Sequence, residues 1–279
     1  CLDAILKQNY PRDMMEIIVI NDRSKDDTGI ILSDYEKEYS FIHVITIDKI
    51  KEGISPKKHA LSLAVSAAKG EIIATTDADC NPLKDWISTL VAYFTPETGM
   101  VVGLAPLKPT SWWISPFVSI DAIIGSITAF GTLGWNHAVT CTGRNIAYRR
   151  QLFEEIHGFT GIEHILSGDD DLFMMKVSNK SNWDIRFMST PSAAVLSLAP
   201  NGWRHFISQR KRHISASKYF SPSIKIGFSL LYFSKLFMMF YLLFSILIEI
   251  SALIPFVLII TAYLITFIFL MIIGFKHGQ

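Results

Sequence analysis

Two rhythms of apolar and polar positions run through the first two thirds of the chain. Short apolar runs bounded by turn residues predict strands at Glu16–Ile20, at Ile42–Ile47, at the stretch beginning Glu71-Ile72-Ile73 and at Met100–Leu104. Mixed segments predict helices at Cys1–Gln8, ended by Tyr10-Pro11, at Thr28–Tyr39, at Lys57–Lys69, closed by Gly70, at Pro82–Phe94 and at Leu172–Val177. Strand, helix, strand, helix, strand is the order of a doubly wound, Rossmann-like α/β domain, whose ligands bind at the carboxyl ends of its strands. The chain opens in a helix, so a further strand ahead of Cys1 is expected.

The rhythm then changes. Ser111–Val139 is long and apolar, but it holds Asp121 and the glycines 125, 131 and 134, which fits a helix lying on a membrane or over a cleft better than a full span. A basic amphipathic interface helix is expected near 203–220. The segments 225–249 and 251–275 are apolar enough to span a bilayer. The expected division is an α/β domain over 1–222 and a transmembrane helical hairpin over 223–279. Arg210, Lys211, Arg212, Lys218 and Lys225 precede the first span and Lys276 follows the second, so a multi-pass protein of the cell (inner) membrane is expected, with both outer ends and the α/β domain in the cytosol.

Composition adds little. Half of the 279 residues are hydrophobic and 18% are charged, with a net charge of +1, which argues for no nucleic-acid partner. Cys1, Cys80 and Cys141 are too far apart for a metal-binding spacing.

The chemistry-bearing residues sit where the strands end. In Thr75-Thr76-Asp77-Ala78-Asp79-Cys80 the two carboxylates are one residue apart, so on an extended chain Asp77 and Asp79 point the same way. Such a pair can hold a hard cation, Mg²⁺ or Mn²⁺, together with phosphate oxygens; alone, it is also what a solvated loop carries. Asp22 ends another strand. Lys57 and Lys58 open a helix, where cations oppose the helix dipole unless an anion is near. Thr142-Gly143-Arg144-Asn145 allows close backbone approach to a ligand. Asp169-Asp170-Asp171 stands ahead of a helix; adjacent carboxylates raise one another's pKa, which suits a proton acceptor. Gln209 and Arg212 share a helix face, and Arg suits phosphate.

Taken in order, "EIIVINDRSKDDT", "SPKKHALSLAVSAAKGEIIATTDADC", "CTGRNIAYRR", "SGDDDL" and "QRKRH" resemble membrane-bound family 2 glycosyltransferases of the cellulose and hyaluronan synthase type, whose catalytic domain has the GT-A fold. The resemblance implies an inverting, metal-assisted transfer from a nucleotide-sugar donor, most often UDP-linked, to a lipid or glycan acceptor. It gives Asp22 to the uracil, Lys57 or Lys58 to the nucleotide, and Asp77 and Asp79 to the metal and diphosphate. It gives Gly143 and Asn145 to the acceptor side, and Gln209 and Arg212 to diphosphate and acceptor. His213 stands where the family has an aromatic residue, and Asn21 replaces a frequently acidic position. Asp170 is the expected base and Asp169 its rival. The competing readings are a nucleotidyltransferase and a membrane-anchored sugar-nucleotide-binding protein without activity.

Overall fold

The computed structural model describes residues 1–248 together with Val257 and Thr261. In chain order its helices are α1 (Leu2–Leu6), α2 (Thr28–Glu38), α3 (Pro56–Ala67), α4 (Trp86–Ala92), α5 (Ser115–Gly134), α6 (Arg150–Glu155), α7 (Asp171–Lys180), α8 (Trp203–Ser217) and α9 (Pro222–Ile248). The strands are β1 (Ile17–Asp22), β2 (Ile42–Ile47), β3 (Ile72–Thr75), β4 (Asn81–Pro82), β5 (Thr98–Gly103), β6 (Leu107–Lys108), β7 (Ile146–Arg149), β8 (Asp184–Met188) and β9 (Val195–Leu198).

The main sheet has the order β3-β7-β5-β8 and is mixed rather than parallel throughout. β3, which ends at the acidic pair, runs antiparallel to β7, with Ile72 opposite Arg149 and Thr75 opposite Ile146. β7 is antiparallel to β5, and β5 is parallel to β8. A doubly wound order sets its central strands parallel, and the strand before the acidic pair, expected to follow that rule, does not. An apolar run fixes a buried strand but carries no direction for its neighbour, and that neighbour arrives some seventy residues later. β1 and β2 pair in parallel as a separate ribbon, and on its other edge β1 pairs with no strand of the described residues. A small sheet, β4-β9-β6, adjoins the site.

Both faces of the main sheet are covered, by the period-2 rule of a strand. On β5, Met100 and Val102 point to one face and Val101 to the other; on β7, Ile146 and Tyr148 oppose Ala147. The first face packs against Val65 of α3, Phe130 and Leu133 of α5, Leu152 of α6 and Phe173 and Val177 of α7. The second receives Trp86 and Leu90 of α4. Phe130 meets Phe187 of β8 edge-on at 5.4 Å between ring centroids.

Among the described residues only α5 is long and apolar enough to cross a membrane. Its C-terminal half is core, with Ala129, Phe130 and Leu133 buried against the sheet, so length and composition do not make it a span. α9 is one 27-residue helix covering the first arm of the expected hairpin. The second arm, 251–275, lies outside the described residues apart from Val257 and Thr261. A multi-pass arrangement finds no support among the described residues.

Candidate active site

Lys57 organises the cleft. As the second residue of α3, after Pro56, it reaches out from the first turn and donates from Nζ to Asp77 Oδ1 at 3.0 Å, with Asp169 Oδ2 at 2.8 Å on its other side. One ammonium thus joins the loop after β3 to the acidic loop before α7. Desolvation works against its charge, but Asp169 and Asp77 outweigh that and hold the ammonium above the ordinary lysine range. Leu61, Gly143 and Tyr148 are among the residues that line the cleft around them.

The neighbouring Lys58 does something else. It is fully buried, and its Nζ donates to the carbonyls of Ile165 at 2.5 Å and Ser167 at 2.7 Å. Burial lowers its pKa, against the pull of Asp169, Asp170 and Glu163. Of the two lysines offered for the nucleotide, Lys57 faces the cleft, and Lys58 pins the loop that carries the acidic triplet.

The three carboxylates of that triplet have three environments. Asp169 faces Lys57. Asp170 caps α7, accepting from Asp171 N at 2.8 Å through Oδ1 and from Gly143 N at 3.0 Å through Oδ2. Asp171 accepts from Cys141 N at 2.6 Å and from the Thr140 hydroxyl at 3.1 Å. Burial, then the charge of Asp169, raises the Asp170 pKa, opposed by its two N–H donors and by Lys57. Burial and the charge of Asp170 push Asp171 well above the usual carboxylate range. The turn into the triplet needs Gly168: its φ is +79°, and a Cβ there would fall 2.6 Å from the Leu172 side chain.

Gly143 lies over this cluster. A Cβ on it would sit 3.4 Å from Asp169 Oδ2 and 3.5 Å from both Asp170 Oδ2 and Lys57 Nζ. Asn145, expected beside it on the acceptor side, is completely buried. Its Nδ2 donates to Leu104 O at 2.8 Å and Ala193 O at 3.2 Å, and its Oδ1 accepts from Trp86 Nε1 at 2.9 Å. It latches the sheet from inside. Arg144, between the two, was not singled out by the sequence. It donates to Ala105 O at 2.8 Å and to the Ser197 hydroxyl; burial lowers its pKa, and Cys80, Asp77, Asp79 and Asp170 pull it back up. A cation inside the small-residue loop was the available signal.

Asp77, Asp79 and Cys80 offer ligand atoms that lie within 4.8 Å of one another, the one such group among the described residues. The carboxylate oxygens fit Mg²⁺ or Mn²⁺. Burial raises the Cys80 thiol's pKa, which keeps it protonated and a poor ligand for a hard ion. Asp22, at the end of β1, pairs with Arg23 at 2.8 Å and makes no ion pair with Lys57. On α8, Gln209 is half-buried, and it is the carbonyl of Arg212 that meets the site, accepting from Ser167 Oγ at 2.9 Å. Crowding by protein atoms lowers the pKa of the His213 ring; Asp170 opposes this, and Arg210, Arg212 and Arg144 add to it.

Strand-end carboxylates and a second acidic loop thus meet at one lysine on the edge of a mixed α/β sheet, the place where open α/β domains bind ligands. The sequence matches glycosyl transferase family 2 over residues 1–157, and the chain belongs to that family. It is 30% identical over 222 residues to the probable glycosyltransferase YdaM of Bacillus subtilis, covering 78% of this chain and 51% of that protein. It is 27% identical over 190 residues to the beta-monoglucosyldiacylglycerol synthase of Trichormus variabilis, covering 66% of this chain and 38% of that one. Among solved structures it resembles a mannosyltransferase from Pyrobaculum calidifontis in complex with GDP-Man and Mn²⁺, with a TM-score of 0.57, 23% identity and coverage of 76% of this chain and 55% of that chain. It also resembles S. aureus TarS 1–349 in complex with UDP-GlcNAc, with a TM-score of 0.53, 21% identity and coverage of 74% and 56%. The fold is the GT-A fold.

Proposed function

We propose that the chain transfers a sugar, with inversion, from a nucleoside-diphosphate donor, UDP-linked by preference, to a hydroxyl of a lipid or glycan acceptor at the cytosolic face of a membrane. The observation that carries this reading is the Lys57 bridge, which puts the Asp77–Asp79 pair and the triplet loop in one cleft. The acceptor class is supported by relatives named a beta-monoglucosyldiacylglycerol synthase and a poly(ribitol-phosphate) beta-glucosyltransferase.

Asp77 and Asp79 would hold the divalent cation, which supplies charge neutralisation at the diphosphate as the sugar leaves. Lys57, already fixed beside Asp77, presents an ammonium to the same phosphates. The geometry favours Asp169 over Asp170 as proton acceptor. Asp169 lines the cleft with its Oδ2 on Lys57, a partner that would turn to phosphate when donor binds, whereas both oxygens of Asp170 are taken by backbone N–H groups. Gly143, without a side chain, is where an acceptor would approach Asp169, with the Asp169 and Lys57 side chains giving way.

The test is product analysis from a panel of nucleotide sugars with native membranes, including the anomeric configuration. Titration calorimetry of UDP with Mn²⁺ runs in parallel. Asp79→Ala should abolish metal-dependent binding and Asp77→Ala should weaken it severely. Unchanged Mn²⁺-dependent affinity in both variants would remove the acidic pair from the metal site.

A further inference from the structure

Tyr148 stands in the middle of the main sheet, and its ring is fixed there. It stacks on Phe153 with ring centroids 5.6 Å apart and meets Phe173 at 5.1 Å. Its backbone is paired on both sides, opposite Ile73 of β3 and Met100 of β5. A phenylalanine would pack in this place equally well. Yet the ring carries a hydroxyl that is buried and has no hydrogen-bond partner among the described residues. A polar group buried without a partner costs stability, so nearly all such groups have one, from protein or from water.

The surroundings of this hydroxyl point to its use. Tyr148 lines the cleft with Asp169, Lys57 and Thr76, around a space of about 20 Å³, room for one water. The Thr76 hydroxyl is likewise buried and unpartnered among the described residues, with the Cys80 thiol, a weak partner, beside it. Burial, then the charge of Asp169, raises the Tyr148 pKa, so its O–H stays protonated and can only be useful as a donor or a neutral acceptor. Asp169 needs such a donor. Its side chain is 11% exposed and its Oδ2 rests on Lys57, which the donor's phosphates would draw away. A buried water takes two to four polar partners, and Tyr148, Thr76 and Asp169 supply three. We propose that Tyr148 is a positioning residue for the transfer: through one water in this space its hydroxyl donates to Asp169 and holds the carboxylate in place when Lys57 turns to phosphate. This rests on the reading of Asp169 as proton acceptor and deepens it, by giving that carboxylate a fixed support from the sheet.

The experiment uses the full chain in detergent with Tyr148→Phe, which removes one oxygen from an unchanged ring, and Asp169→Asn, singly and together. Denaturant unfolding without donor should show the two substitutions coupled. The unfolding constant of the double variant should depart from the product of the single effects by about threefold or more. Strict additivity overturns the proposal. Mn²⁺-dependent release of UDP from UDP-glucose gives the second readout. Tyr148→Phe should lower kcat by about 10-fold, the worth of a hydrogen bond to a charged group, with the KM for UDP-glucose unchanged. The acid limb of kcat should move to higher pH, because a carboxylate that loses a donor takes a proton more readily. The charged groups around Asp169 are Lys57 of α3, Asp77 after β3 and Asp170 of its own loop, and the variant leaves all three as they are. Wild-type kcat and acid limb in Tyr148→Phe, with Asp169→Asn inactive, also overturn the proposal. Coupling in unfolding together with an active Asp169→Asn sinks Asp169 as the base and leaves its support by Tyr148 standing.

Discussion

Asp169 and Asp170 are adjacent in sequence and differ in what their oxygens can still do. Asp169→Asn is isosteric but cannot take a proton, so turnover should fall by about 10²–10⁴-fold while UDP binding persists. Asp170→Asn keeps one acceptor for the backbone and should lose activity mainly through loop disorder, visible as a raised KM. The reverse pattern, with Asp170→Asn alone losing turnover, would return the base to Asp170. Asp171 predicts a pH effect. Its folded-state pKa is raised by burial and by Asp170. The folded protein therefore binds its proton more tightly than the unfolded chain does, and the stabilisation present below the ordinary value of 3.8 is lost as pH rises through the folded-state value. Thermal unfolding across the acid range should show stability falling as pH rises. Asp171→Asn, which still accepts from Cys141 N and Thr140, should flatten that slope.

The elements differ in how much the chain announces them. β2 has the limits that its apolar run predicts, and α3 and α7 differ from prediction by a few residues. β1 runs two residues into the polar turn, because Asn21 and Asp22 stay in register with Thr46 and Ile47. The two-residue strands β4 and β6 are too short for any period, and their pairing rests on β9, more than eighty residues on. Asn145 marks the same boundary inside the site. The sequence shows a polar residue next to Gly143, but which way it points depends on Trp86, Leu104 and Ala193, brought in by the fold. Lys57 and Lys58 divide likewise, since a helix turns about 100° between neighbours and only one of them can face the cleft. Asn145→Ala should therefore act on stability rather than on acceptor affinity. It leaves the Trp86 N–H and the Ala193 carbonyl without partners, whereas Leu104 O keeps its bond from Val195 N; each such buried group costs about 1–3 kcal/mol. Denaturant unfolding should show a large drop with the acceptor KM little changed; a selective change in KM would put the side chain back on the acceptor side.

At the scale of the whole molecule, the main sheet is enclosed by helices on both faces, yet the ribbon β1–β2 stands apart from it. β1 carries Ile17-Ile18-Val19-Ile20, a sequence suited to burial on both sides, but Ile18, Val19 and Ile20 are only half-buried. β3 likewise pairs, among the described residues, on one edge alone, with β7, and its Ile72 and Ile73 are half-buried. An unpaired apolar edge is a template: its free N–H and C=O groups can accept any extended chain of similar composition, including another copy of itself. Wherever such an edge is left uncovered, the chain should self-associate through stacked strands, with light scattering that rises steeply with concentration and a dye signal for cross-β order. Ile18→Lys, which puts a charge on that edge, should suppress both.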